Sequence, residues 1–164
     1  MDGIEVPKIY LETTMFSFYY EKRTAPPYLE LKAEVRQVFD LIRAGKYEPY
    51  TSILATDEID DETNHEKREN MWRLITDYNV KVLPETEESK RLASLYIQSK
   101  AIPESYPTDA GHIAITALNG LDFTVSLNFE HIARPWTIER VRRVNKQEGF
   151  NPIGIYRPVE VLAL

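Results

Sequence analysis

The stretch from Pro107 to Ile132, PTDAGHIAITALNGLDFTVSLNFEHI, decides the fold of this chain. It begins with a predicted helix start that carries Asp109, and an Ala- and Ile-rich helix follows and ends at Gly120. A hydrophobic strand comes next and ends at the polar residue Asn128. In parallel α/β sheets, functional groups collect where strands end and helices begin. The stretch therefore predicts a functional site with Asp109 at a helix entrance and Asn128 at a strand exit.

Two earlier segments place acidic residues at comparable boundaries. KIYLETTMF puts Glu12 at the end of a first predicted strand, and YTSILATDEI puts Glu58 just past a second. Glu12 follows apolar Ile9 and Leu11 in a strand predicted to lie in the core, where a buried charge must be paired. Three carboxylates from distant parts of the chain, each at an element boundary, predict a divalent-metal site with Glu12, Glu58 and Asp109 as ligands.

Three neighbouring polar side chains are candidates for supporting this site. Thr13 and Ser52 are predicted to bind substrate and can also orient the carboxylates, or each hydroxyl can satisfy nearby backbone groups. His112 lies three residues after Asp109 and shares its helix face. It can bond a site carboxylate or contact substrate, although a structural polar contact is the favoured interpretation.

A basic segment near the C-terminus offers candidates for phosphate contacts. Its members are Arg134, Arg140, Arg142, Arg143 and Lys146. Of these, Arg140 and Arg143 are predicted to bind substrate. A solvated helix face paired with Glu139 and Glu148 explains the same pattern equally well.

The composition is that of an ordinary soluble protein. Hydrophobic residues make up 43% of the 164 residues, charged residues make up 28%, and the net charge is -6. The absence of cysteine excludes disulfides and thiolate zinc sites and fits a reducing compartment. We therefore expect a cytoplasmic protein that forms one domain over residues 1–164, with no signal peptide and no membrane span.

Strand and helix patterns alternate along the chain. Five short β-rich segments, the last near Pro152 to Tyr156, are separated by segments with helical spacing, and the polar segment EKRTAPPY predicts an exposed loop or lid. The aromatic run Phe16, Phe18, Tyr19 and Tyr20 can stack bases, but a core or dimer interface is favoured. Repeated βα units predict a mainly parallel sheet with helices on both faces.

The ordered motifs resemble the PIN-domain family, and in particular the ribonuclease toxins of VapBC toxin–antitoxin pairs. The matching pieces are YLETT, TSILATDEI, DAGHIAITA and VSLNFEHI, with Ser52 six residues before Glu58. The resemblance implies a three-layer α/β/α sandwich that acts as an endoribonuclease with Mg²⁺ or Mn²⁺. It also implies an RNA substrate, a small antitoxin partner and membership of a type II toxin–antitoxin pair. A homodimer is expected as well, from the aromatic N-terminal region.

Two positions depart from the family pattern. The family usually has aspartate where this chain has Glu12, and many members have a further acid where this chain has Asn128. We predict catalytic roles for Glu12, Glu58, Asp109 and Asn128. Because of the two departures, the alternative that the protein is a PIN-fold RNA- or protein-binding module with impaired or no catalysis stays open. A phosphoacceptor-type protein is a weaker alternative, because its usual lysine near the acids is missing from the Asn128 segment.

Overall fold

A computed structural model of the protein describes residues 5–164, so residues 1–4 of the predicted domain lie outside the description. Within the described range there are five strands and eight helices, with one or two helices after each strand. The strands are β1 (Lys8–Leu11), β2 (Glu48–Ser52), β3 (Lys81–Leu83), β4 (Phe123–Val125) and β5 (Gly154–Tyr156). The helices are α1 (Thr13–Tyr19), α2 (Pro26–Arg43), α3 (Ile53–Asp60), α4 (His65–Asp77), α5 (Glu87–Gln98), α6 (Pro107–Leu118), α7 (Pro135–Glu148) and α8 (Pro158–Leu162).

The five strands form one parallel sheet in the order β3-β2-β1-β4-β5. The chain builds outward from β1 to β3 on one side and then crosses back to add β4 and β5 on the other. The strand order therefore reverses at β1, and ligand crevices in open α/β sheets lie at such a switch point. The carboxyl ends of β1, β2 and β4 meet at the same edge of the sheet.

Successive residues of β1 pack against opposite layers of helices, as the strand period of two requires. Ile9 and Leu11 join a core with side chains from α1, α2, α4 and α8. Tyr10 packs on the other face against Ile115 of α6 and Leu121. Helices therefore cover both faces of the sheet, and the predicted α/β/α sandwich is confirmed.

The segment after β1 differs from its prediction. The loop predicted over residues 21–28 ends at Ala25, because α2 begins at Pro26. A proline fits the first turn of a helix, where the backbone N–H that it lacks would have no partner. The aromatic run forms α1, in which Phe16 is buried and Tyr19 packs edge-on against Phe39 of α2. The run thus contributes to the core, and the homodimer stays a prediction.

Gly111 allows α6 to pack closely against α3. A Cβ atom at this position would lie 2.6 Å from Cδ1 of Leu54 in the first turn of α3. The missing side chain therefore sets how near the two helices lie. Among the described residues, no helix combines the length and the apolar composition that crossing a membrane requires.

A buried hydrogen bond joins α5 to α7. The Tyr96 hydroxyl donates to Asn145 Oδ1 at 2.5 Å, and both side chains are buried. We expect Tyr96→Phe to lower the free energy of unfolding by about 1–3 kcal/mol, because it leaves a buried amide oxygen unpaired. Urea unfolding measures this change. Tyr50→Phe is the control, because the Glu48 carboxylate that its hydroxyl bonds is partly exposed and is also bonded by Lys81, so no buried polar atom is left unpaired and the loss should be smaller; an equal loss in both variants would contradict the prediction.

Candidate functional site

Three elements bring two carboxylates and an imidazole together at the carboxyl edge of the sheet. Glu12 follows β1, Glu58 lies in α3, and His112 lies in α6. Each residue offers one ligand atom, and these atoms all lie within 4.8 Å of one another. Residues separated by up to a hundred positions in sequence therefore form one cluster, which we call the Glu–Glu–His cluster.

Glu12 is held rigidly although it is a buried charge. It is 3% exposed and precedes the first turn of α1, and its backbone N–H donates to Val125 of β4. Its Oε1 atom accepts hydrogen bonds from Ser126 and Thr14, both at 2.5 Å. Burial raises the pKa of Glu12, against the opposing effects of His112 and the two hydroxyl donors. The protein thus fixes this carboxylate in a place where its charge is unfavourable without a cationic partner.

Glu58 and His112 form the other half of the cluster. Glu58 Oε1 accepts a hydrogen bond from Thr13 at 2.6 Å and lies 2.8 Å from His112 Nε2. The other ring nitrogen of His112, Nδ1, lies 2.5 Å from the Tyr10 hydroxyl, which in turn lies 2.7 Å from Ser52 Oγ. The imidazole is therefore oriented from both sides. Thr13 touches a site carboxylate directly, whereas Ser52 acts through Tyr10.

The charges in the cluster favour a cationic His112. Burial disfavours the charged imidazole, but the hydrogen bond to Glu58 and the negative charges of Glu12, Glu58 and Asp109 outweigh it and raise the pKa of His112. Burial likewise acts to raise the pKa of Glu58, but the contacts with His112 and Thr13 reverse the effect and lower it. A proton on His112 thus provides positive charge where a metal ion would otherwise provide it.

The donor set fits a divalent cation. Among the described side chains, the hydrogen bonds to both glutamates go to Oε1, which leaves Oε2 of each available as a ligand. Carboxylate oxygens suit Mg²⁺ and Mn²⁺, and an imidazole also brings Zn²⁺ into range. Glu12, Glu58 and His112 are the residues that would hold the ion.

Asp109 and Asn128 lie beside the cluster in a second polar group. Asp109 Oδ2 is 3.1 Å from His131 Nδ1, and the backbone N–H of His131 donates to Asn128 Oδ1 at 3.0 Å. The Asn128 backbone N–H donates to Ser126 Oγ, the same hydroxyl that bonds Glu12. Burial raises the pKa of Asp109, although His112, His131 and Asn128 oppose the shift. The second group is thus linked to the Glu–Glu–His cluster through one serine.

The predicted phosphate-binding arginines are engaged elsewhere. The Arg140 guanidinium stacks over Trp136 at 3.8 Å from the ring centroid and donates to the Ser99 carbonyl at the end of α5. Arg143 donates to Glu139 on its own helix at 3.0 Å. Their role in substrate binding stays a prediction.

Sequence reasoning missed four residues of the site. Tyr10, Thr14, Ser126 and His131 all bond a predicted site residue directly or through one partner. A signal existed for Ser126 and Thr14, because each lies two residues from a predicted site residue at a strand end. Tyr10 offered none, since a tyrosine in a core strand is ordinarily a packing residue.

Asp109→Asn tests whether Asp109 is a metal ligand or a support for His131. We expect the fold to remain intact and the thermal shift caused by Mn²⁺ to decrease, because one negative charge near the bound ion is lost. Thermal melting with and without Mn²⁺ measures both quantities. If the variant and the parent protein show the same metal-induced shift, Asp109 is not a ligand.

The raised pKa values of His112 and Glu12 predict how the stability of the metal-free protein depends on pH. A histidine whose pKa is higher in the folded state stabilises the fold below its unfolded value near 6.5, and this contribution is lost as the pH rises through the folded value. Glu12 contributes a change of the same sign from its ordinary value of 4.5 upward. We therefore expect the melting temperature in EDTA to fall as the pH is raised above about 6.5.

His112→Gln should flatten this dependence, and His65→Gln, at an exposed position on α4, should not. A melting temperature that rises over the same pH range, or an equal slope in the parent and in His112→Gln, would contradict the assignment.

No protein-family model matches the chain, and no curated protein matches it. Among solved structures, the chain is similar to the crystal structure of VapBC2 from Rickettsia felis bound to a DNA fragment from their promoter. The TM-score is 0.53 at 8% identity, and the match covers 92% of this chain and 98% of that chain. At this identity the likeness shows the fold alone, which is PIN-like.

Proposed function

We propose that the protein is a divalent-metal-dependent endoribonuclease and the toxin component of a type II toxin–antitoxin pair. The observation that carries the proposal is the Glu–Glu–His cluster at the switch point of a PIN-like sheet. Glu12, Glu58 and His112 would hold a divalent ion there, which would supply an activated water and neutralise charge on the phosphoryl oxygens. Mg²⁺ and Mn²⁺ are the ions that the carboxylates favour.

The chain's own residues then have distinct tasks. Ser126 and Thr14 hold the Glu12 carboxylate in one orientation, and Thr13 does the same for Glu58. Tyr10 orients His112 from the core side. Because these donors are in place before any ligand arrives, the two carboxylates do not have to reorient on binding, and only the hydrogen bond between His112 and Glu58 has to be displaced.

Asn128 and Asp109 are proposed to act at the substrate side. Asn128 accepts from the backbone of His131 and so shapes the loop after β4 that borders the cluster. Asp109 bonds the His131 ring and adds negative charge next to His112. Arg140 and Arg143 retain their proposed substrate contacts, whereas the buried His112 is proposed as a ligand of the ion.

The proposed partners follow from the same assignment. The similar Rickettsia structure contains a VapBC2 complex, and we propose a small antitoxin protein as the partner of this chain. A homodimer and a cytoplasmic location belong to the proposal as well. Sedimentation at micromolar concentration tests the dimer, and a monomer alone would remove it.

Two features favour the alternative of a PIN-fold binding module without catalysis. His112 Nε2 is already 2.8 Å from Glu58 Oε1, so an ion must displace that hydrogen bond in order to bind the imidazole. Glu12 also reaches further than the aspartate that the resembled family has at this position. A protein that binds RNA but never cleaves it would follow from these two features.

Cleavage of single-stranded RNA in the presence of Mg²⁺, Mn²⁺ or Zn²⁺ separates the two functions. We expect the parent protein to cleave in at least one metal and to stop in EDTA, and Glu58→Gln to lose this activity. Glu66→Gln, an exposed glutamate on α4, is the matched control and should cleave normally. No cleavage of several RNA sequences in any metal would favour the binding module.

A further inference from the structure

Trp136, in the first turn of α7, is an exposed aromatic side chain that the protein nevertheless holds in place. It is 51% exposed, and its Nε1 atom donates to the Lys100 carbonyl at 2.9 Å. The guanidinium of Arg140 lies over the ring at 3.8 Å from its centroid. An indole fixed in this way loses little further conformational freedom when a ligand binds, which favours its use as a contact surface.

A cavity of about 620 Å³ opens beside this ring. Its lining includes Lys100, Ile102, Pro103, Glu104 and Arg134 together with Trp136. Two cationic side chains thus face one acid, and Arg140 adds a third cation at the ring. This local excess of positive charge stands out in a chain with a net charge of -6.

A second exposed aromatic side chain, Tyr106, contacts the polar group around Asp109 and is bonded through its backbone to a residue that lines the cavity. Tyr106 precedes the first turn of α6, is 46% exposed, and stacks on His131 with ring centroids 3.9 Å apart. His131 is the residue that bonds Asp109. The Tyr106 backbone N–H donates to the carbonyl of Pro103, which lines the cavity. Contacts therefore join Asp109 to Tyr106 through His131, and Tyr106 to the cavity wall through Pro103.

We propose that Tyr106, Trp136 and the cavity form a surface that binds the strand of a single-stranded RNA substrate that flanks the scissile phosphate. One base stacks on Tyr106, a second lies against the exposed part of Trp136, and Lys100 contacts a backbone phosphate together with Arg134, whose guanidinium is held in place by Thr137 and the Ala101 carbonyl. Single-stranded RNA is the class that this surface fits, because its unstacked bases can lie on aromatic rings while cations follow the backbone. The inference rests on the proposed function, since it concerns the substrate of the same site.

The two tryptophans of the chain make the contact directly measurable. In Trp72→Phe, Trp136 is the only indole, and we expect single-stranded octaribonucleotides to quench its fluorescence in EDTA, where metal-dependent cleavage is off. In Trp136→Phe, the remaining Trp72 on α4 should show no quenching. A duplex of the same sequence should not quench either variant, because its bases are not free to stack.

Affinity provides an independent measurement. By fluorescence anisotropy in EDTA, Tyr106→Ala and Trp136→Ala should each raise the Kd for the octamer by roughly fivefold to a hundredfold, as expected for the loss of one stacked base. Trp72→Ala is the matched control and should leave the Kd unchanged. If the parent protein cleaves RNA, Trp136→Ala, which lies away from Asp109 and His131, should raise KM more than it lowers kcat.

The outcomes separate this inference from the proposed function. RNA binding with quenching of Trp136 but no cleavage would support the surface and overturn the nuclease. Cleavage without quenching, and with unchanged Kd in both alanine variants, would support the nuclease and overturn the surface. A complete lack of RNA binding would also overturn the proposed RNA-binding surface. So would a Trp136 fluorescence signal that responds to a protein partner and not to RNA.

Discussion

Replacing Glu12 by glutamine should reduce metal-dependent RNA cleavage by at least about a hundredfold, because one of the two carboxylates that would hold the ion becomes neutral. The same change should make the metal-free protein more stable. Burial disfavours the charge of Glu12 and raises its pKa, whereas an amide of the same shape carries no charge and can still accept from Ser126 and Thr14.

Two measurements on Glu12→Gln check these expectations. Single-turnover cleavage in Mn²⁺ gives the loss of activity, and thermal melting in EDTA and in Mn²⁺ gives the stability with and without metal. The melting temperature in EDTA should rise, while the further increase on adding Mn²⁺ should disappear. Full cleavage by the variant would remove Glu12 from the site, and a lower melting temperature in EDTA would show that its charge stabilises the fold.

Glu12→Asp should also reduce cleavage, by roughly a hundredfold if the carboxylate is displaced by about 1 Å. The resemblance to PIN domains alone leaves two outcomes open, since aspartate is the usual residue there. The hydrogen bonds decide between them: Ser126 and Thr14 reach the longer glutamate arm at 2.5 Å, and a shorter side chain would lose both donors or draw the ion out of place.

Cleavage rates of Glu12→Asp, Glu12→Gln and the parent protein under one set of metal conditions provide the test. We expect the aspartate variant to fall between the other two, because it retains the charge. Activity above that of the parent protein would show that the site is set for aspartate and that the natural glutamate weakens it.

Most of the fold could be predicted from the sequence because βα alternation restricts the possible topologies. The predicted parallel sheet and helices on both faces are present. The boundaries were less predictable: a proline-bearing loop pattern covers the first turn of α2, and a short aromatic run forms α1. The start of α2 differs from the prediction because the first turn of a helix tolerates proline. The aromatic run forms α1 because tertiary packing outweighs its weak helix propensity.

The candidate site was predictable in its location and less so in its membership. Element boundaries identified Glu12 and Glu58, which the structure brings together with His112. Sequence spacing could not separate Asp109 from His112, because both lie on the same face of α6. Only the approach of α3 brings Glu58 within 2.8 Å of the histidine ring, while Asp109 bonds His131 in the loop after β4.

Gly111 connects helix packing to the proposed chemistry, and this limits how the protein can be engineered. A glycine inside a helix costs about 1 kcal/mol relative to alanine, so Gly111→Ala would be a natural choice in a programme to raise thermal stability. The added methyl group would meet Leu54 at 2.6 Å, however, and Leu54 lies one helical turn before Glu58. The Leu54 side chain would have to shift to accept the methyl group, and it shares α3 with Glu58, so a variant at this position has to be tested for metal binding as well as for stability.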